Sequence, residues 1–129
     1  MYETGDIHFA TIRWTNRDGS VGSKERRCIY ICPVDGDQHI LVPGYSADEK
    51  QGESPFFVHP AGYPEERGRC GKFKKFHHET KFFRIAIRYV DRRDIERDCV
   101  GRLSDTTFDN RVWDHVDAWI TEQRKARWL

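Results

Sequence analysis

The rhythm of hydrophobic and polar positions changes along the chain. From Ile7 to Trp14 apolar and aromatic residues crowd a short run, Arg27 to Val34 is rich in β-formers, and His39 to Val42 follows closely. Short runs of this composition bounded by turn residues read as strands. The Asp35-Gly36 step between the second and third favours a type I′ hairpin. In Cys28-Ile29-Tyr30-Ile31-Cys32 both faces are apolar, as expected of a central strand covered on both sides.

Further on, Phe83, Ile85, Ile87 and Tyr89 alternate with Arg84 and Arg88, which predicts one strand over residues 81–90 with a basic face. After Ser104 the period becomes helical. Phe108, Val112, Val116, Trp119 and Ile120 recur on one stripe, Ser104 is a good N-cap, and Asp105 suits the positive end of the helix macrodipole. One amphipathic helix over residues 104–123 is expected. Residues 47–80 read as a long, partly irregular insertion, with a possible short strand at Pro55-Phe56-Phe57-Val58-His59 and a turn-rich stretch behind it. All five prolines lie between Pro33 and Pro64, and nine of ten glycines lie at or before Gly71, so the chain is mainly β with a C-terminal helix.

A length of 129 residues fits a single domain with its own core. The opening residues carry Glu3 and Asp6 and no uninterrupted apolar run, so neither a secretory segment nor a membrane span is expected, and a cytoplasmic location is. In that compartment the four cysteines are expected as free, mostly buried thiols. Cys28 and Cys32, four apart on a strand and hence roughly 13 Å apart, are too distant to pair with each other.

Net charge is +1, which by itself favours no polyanionic partner. Its distribution changes that picture. Between Arg67 and Arg97 there are eleven Lys or Arg and four acids, whereas residues 105–122 carry five acids and Arg111 alone. Within the basic stretch, Lys72-Phe73-Lys74-Lys75-Phe76 leads through His77-His78-Glu79 to Phe82 and Phe83. Cations interleaved with aromatics are the composition of a single-stranded nucleic-acid site, in which cations hold phosphates and rings stack bases. Phe83, on the apolar face of its strand, reads as core. Clustered metal donors are lacking: there is no C-x-x-C, and adjacent His77 and His78 would point to opposite faces of a strand. Nucleotide-binding and nucleophile-elbow motifs are also missing from the sequence.

The order of these pieces is similar to that of the PemK/MazF family. Those pieces are the Gly5-Asp6-Ile7 opening, Arg26-Arg27 running into the apolar second strand, a hairpin, and Gly101-Arg102-Leu103-Ser104-Asp105 before the last helix. The resemblance covers residues 4–46 and 81–123. It implies a compact SH3-like β-barrel and a metal-independent, toxin-like endoribonuclease that needs no cofactor, cuts single-stranded RNA, works as a homodimer and is neutralised by an antitoxin protein. Mapped residue by residue, the family's catalytic Arg falls on Arg27, with Arg26 one register away, and its hydroxyl falls on Ser46. Lys72, Lys74, Lys75, Phe76, Arg84 and Arg88 are the expected RNA contacts. His59, His77, His78 and Glu79 are the remaining acid-base candidates. A non-catalytic barrel of the same kind, binding nucleic acid or a protein such as a topoisomerase, is the competing expectation.

Overall fold

The computed structural model describes residues 2–60, 66–68, 70–74 and 78–128, with side chains to Ala126. Three long antiparallel strands form its centre: β1 (Asp6–Thr15), β2 (Val21–Pro33) and β3 (Gln38–Ser46). Four short strands follow, β4 (Phe57–His59), β5 (Thr80–Phe82), β6 (Arg88–Asp91) and β7 (Gly101–Arg102), and then the helices α1 (Asp105–Arg111) and α2 (Trp113–Trp128). The sheet runs β4-β5-β3-β2-β1-β7, with β6 also on β3. It curls into an antiparallel half-barrel, and the helices close its concave side.

Cys28, Ile29, Tyr30 and Ile31 of β2 are all buried, as their two-sided apolar pattern requires. Ile29 and Ile31 face a core with Ile7, Val42, Phe82, Leu103, Val112 and Val116, while Cys28 and Tyr30 face a second cluster with Ala10, Leu41 and Ile95. β3 serves three partners because its outer edge is shared. Gln38–Leu41 pairs β6 and Gly44–Ser46 pairs β5. The β2–β3 turn is not type I′. That turn needs positive φ at two central residues, and here Gly36 alone has it (φ 60°).

The strand expected over 81–90 is broken. A 3₁₀ turn at Arg84–Ala86 separates β5 from β6, which buries Phe83 and leaves Ile85 66% exposed. Alternation reports a straight strand only where the chain keeps one direction, and this segment turns to leave β5 and reach the other end of β3. The single helix is likewise two. Ser104 accepts from the Thr107 amide as the N-cap, but Val112 (φ −118°) interrupts the helix, and α2 continues past Gln123 to Trp128. Through this kink Phe108, Val112, Val116 and Trp119 all remain in the concave core.

The cysteine expectation is corrected in part. Cys70 and Cys99 form a disulfide, their Cα atoms 5.1 Å apart across 29 positions, whereas Cys28 and Cys32 are free. Compartment reasoning carries no information about proximity, and here the insertion folds back onto the segment before β7. The same region holds the two end motifs together. Asp6 pairs with Arg102 in the ladder, and the Arg102 guanidinium binds the buried Asp6 carboxylate (3.1 Å) and Asp105 (3.1 Å). No helix among the described residues is long and apolar enough to cross a membrane.

Candidate functional site

Over the middle of β2, between Phe9 of β1 on one side and the Gly44–Ser46 end of β3 with Thr80 of β5 on the other, a cleft of about 400 Å³ opens. Successive strand residues point to opposite faces, so Arg26 and Arg27 do different work. Arg27 lies directly across from Phe9 in the β1–β2 ladder, its guanidinium 5.4 Å from that ring centre. Glu25 precedes it by two and shares its face. Arg26 turns the other way. Its guanidinium lies 4.0 Å from the Tyr45 ring centre and grips the Glu49 carboxylate with two hydrogen bonds, 2.7 and 3.0 Å, while also donating to the Gly44 carbonyl at 3.2 Å.

Such a two-point contact fixes both planes. The Arg26 guanidinium holds the Glu49 carboxyl down at about 2, assisted by donors from Ser46. Glu49 is therefore anionic at neutral pH and is consumed by Arg26, with Lys24 a further 3.6 Å away. Ser46 sits at the end of β3, its hydroxyl 2.7 Å from Asp48 and 2.9 Å from Glu49, and its amide donates to Glu49. The hydroxyl is thus part of the turn that presents Glu49. Gly44 is required by close approach: a Cβ there would lie 2.6 Å from the Thr80 methyl and 2.9 Å from the Arg27 carbonyl oxygen. That contact lets β5 bring His78, Glu79 and Thr80 to the cleft wall.

The sequence-derived residues thus separate. Arg26, Arg27 and Ser46 line one cleft, together with His78 and Glu79. His59 is fully buried, 3.1 Å from the Pro60 carbonyl through Nδ1; burial holds its imidazole below the usual pKa, and the Arg27 charge acts the same way. Lys72 and Lys74 line a second cavity of about 250 Å³, which shares Phe9 and Glu25 with the cleft. Arg84 and Arg88 are elsewhere. Arg84 reaches His115 Nδ1 of α2 (2.8 Å), and Arg88 donates to the carbonyls of Ala86 and Arg13. Lys75, Phe76 and His77 lie outside the described residues.

Sequence reasoning missed Phe9, Glu25, Tyr45 and Glu49. For Glu25 a signal existed, since it alternates with Arg27. Glu49 had none, because its role depends on a turn folding back onto Arg26. Among the described residues no group of three or more His, Cys, Asp or Glu is arranged to hold a metal ion. No protein-family model matches this chain. No curated protein matches it either.

Proposed function

We propose that the chain is a single-stranded RNA endoribonuclease of the PemK/MazF kind, its half-barrel an SH3-like barrel and its cleft the catalytic site. The observation that supports this best is that Ser46 at the end of β3 and the neighbouring Arg26 and Arg27 of β2 line one cleft with Phe9, His78 and Glu79. Cleavage begins with attack of a ribose 2′-oxygen on the adjacent phosphorus. The P–O5′ bond then breaks, leaving a 2′,3′-cyclic phosphate and a 5′-hydroxyl. Arg27 supplies donors to the phosphorane oxygens, where charge develops. Glu79 and His78 are the titratable groups of the β5 wall available to take the 2′-proton and to return one to O5′. Arg26, committed to Glu49, positions the Tyr45–Ser46 rim. In this reading the working form is a cytoplasmic homodimer held in check by an antitoxin protein.

One observation favours the second reading, a barrel that binds RNA without cutting it: the Ser46 hydroxyl is already held by Asp48 and Glu49. Mixed-sequence single-stranded RNA incubated with the protein in EDTA separates the two. Fragments with 5′-hydroxyl ends, lost in Arg27→Ala, are expected; intact RNA at high protein excess would sink the nuclease reading.

A further inference from the structure

A cavity of about 470 Å³, bordered among the described residues by Tyr2, Arg92, Ile95 and Arg97, takes no part in the proposed cleft. It lies across the sheet from Arg27. Ile95 and Tyr2 pack with Cys28 and Tyr30, whereas Arg27 alternates with Cys28 and so shares the face of Ile29 and Ile31. We propose that this cavity is a second ligand site, one that binds a phosphate monoester carried on a small organic body, the chemistry of a nucleotide.

Arg92 and Arg97 are uncommitted cations: among the described residues neither exposed side chain has a hydrogen bond or an ion pair. Their neighbours are spent. Arg13 binds Asp94 (2.9 Å), Arg93 lies 3.8 Å from Asp91, and Arg88 donates to backbone carbonyls. The same pairs occupy Asp91 and Asp94, the acids that flank Arg92 in the chain. Burial raises the Tyr2 phenol above its ordinary pKa; the Arg92 and Arg97 charges oppose that rise and Glu96 adds to it, so both guanidiniums act on one hydroxyl. That hydroxyl is a donor whose present acceptor, the Ile95 carbonyl, is 3.5 Å away.

A phosphate monoester carries close to two negative charges and three terminal oxygens. Two forked guanidiniums and a phenol meet that demand with charge-assisted bonds. A carboxylate, with one charge, would leave a cation unmatched. Tyr2 and Ile95 supply an apolar wall for the organic body, and the volume falls in the range of small-molecule sites. The walls are fixed before any ligand arrives. Tyr2 stacks on Tyr30 with ring centres 5.1 Å apart and meets His8 and His39 edge-on at 4.8 and 5.2 Å. The Arg92 amide donates to the Asp37 carbonyl (2.8 Å), the Ile95 amide to the Arg92 carbonyl (3.1 Å) and the Glu96 amide to the Phe9 carbonyl (2.8 Å). Cys99, shortly after Arg97, is tied to Cys70. With the backbone pinned, binding has only side chains to order.

The test is isothermal titration calorimetry with adenosine 5′-monophosphate and adenosine, and anisotropy with 3′-labelled 2′-O-methyl pentauridylate, which cannot be cleaved, bearing a 5′-phosphate or a 5′-hydroxyl. The monophosphate is expected to bind about 10-fold or more tightly than adenosine, and Arg92→Gln with Arg97→Gln should bring that ratio to within about twofold. Tyr2→Phe, which keeps the ring, should weaken the monophosphate about threefold. A preference confined to the 5′-phosphorylated RNA, and lost in the double variant, keeps the site and assigns its phosphate to an RNA end. If the double variant fails to fold, as judged by circular dichroism, Arg97→Gln alone should lower the ratio about threefold or more. Equal binding of the phosphorylated and unphosphorylated member of both pairs, or binding of none, overturns the site. A phosphate preference retained in the folded variant overturns it too. The RNA reading is tested apart from this site, because cleavage is read through Arg27 and monophosphate binding through Arg92 and Arg97.

Discussion

The cleft over the middle of β2 and the end of β3 and the basic stretch from Arg67 to Arg97 use cations in opposite ways. In the cleft Arg26 and Arg27 come from a stretch of β2 with Glu25 beside them, yet the strand register delivers one to a carboxylate and the other to the open face across from Phe9. The basic stretch has far more positive charge along the chain and disperses it. Lys72 and Lys74 reach the small cavity, Lys81 donates to the Glu49 carbonyl, Arg84 to His115, and Arg88 to backbone carbonyls. Arg92 and Arg97 border a separate cavity with Tyr2. The segment changes direction at two 3₁₀ turns, Arg84–Ala86 and Arg92–Asp94, so neighbours in sequence leave on different sides. Charge density along a chain becomes charge density on a surface only where the backbone runs straight.

This contrast is sharpest at Arg27. Removing a donor aimed at developing charge costs on the order of 10² to 10³ in rate, so Arg27→Ala should lose that much RNA cleavage while its circular dichroism spectrum remains that of the folded parent. The Arg84→Ala/Arg88→Ala pair should stay within about threefold of the parent; a larger loss from the pair than from Arg27→Ala would reverse the comparison.

Next comes the disulfide that joins the basic segment to the body of the fold. For a loop of this length the chain-entropy model gives about 3.6 kcal/mol. Cys99→Ser should lower stability by that amount in chemical denaturation, and a reductant should shift the parent alike. Equal midpoints with and without reductant would show that this staple contributes nothing.

Breaking the Arg26–Glu49 contact is smaller in effect. Glu49→Gln should cost about 1.5–3 kcal/mol, the range for hydrogen bonds to charged groups. The pH dependence has a defined sign. The folded-state pKa of Glu49 is depressed to about 2 from an ordinary carboxyl value, so its contribution is complete above that ordinary value and is lost as pH falls toward 2. Denaturation midpoints measured from pH 6 to pH 2.5 should fall less steeply in Glu49→Gln than in the parent.

The smallest effect belongs to Arg84. Its bond to His115 joins the 3₁₀ turn to α2, so Arg84→Ala should cost about 1 kcal/mol of stability and leave RNA affinity within about twofold in anisotropy titration. A fall in affinity as large as that of Lys74→Ala would return Arg84 to the binding surface.

Much of the fold is legible in the sequence. The central strand was marked by apolar residues on both faces of Cys28–Cys32, the N-cap by Ser104, and the core face of the last helices by Phe108, Val112, Val116 and Trp119. Arg26, Arg27 and Ser46 could be named as candidates, and they do share a cleft. Their partners could not: Glu49 reaches Arg26 across 23 positions, and Phe9 meets Arg27 through a ladder register that no local pattern encodes.

What the sequence determined by itself was thus local: which residues prefer strand or helix, which face is apolar, where a helix starts. These follow from periodicity and capping, which act over a few residues. Tertiary structure decided the rest. It broke the 81–90 pattern at a turn because β3 offers two different strands its two halves. It joined Cys70 to Cys99 because the insertion folds back onto the segment before β7, and it divided the cations of one basic stretch among unrelated surfaces. Contacts between residues far apart in the chain are set by how whole elements pack, and no window of sequence contains both partners.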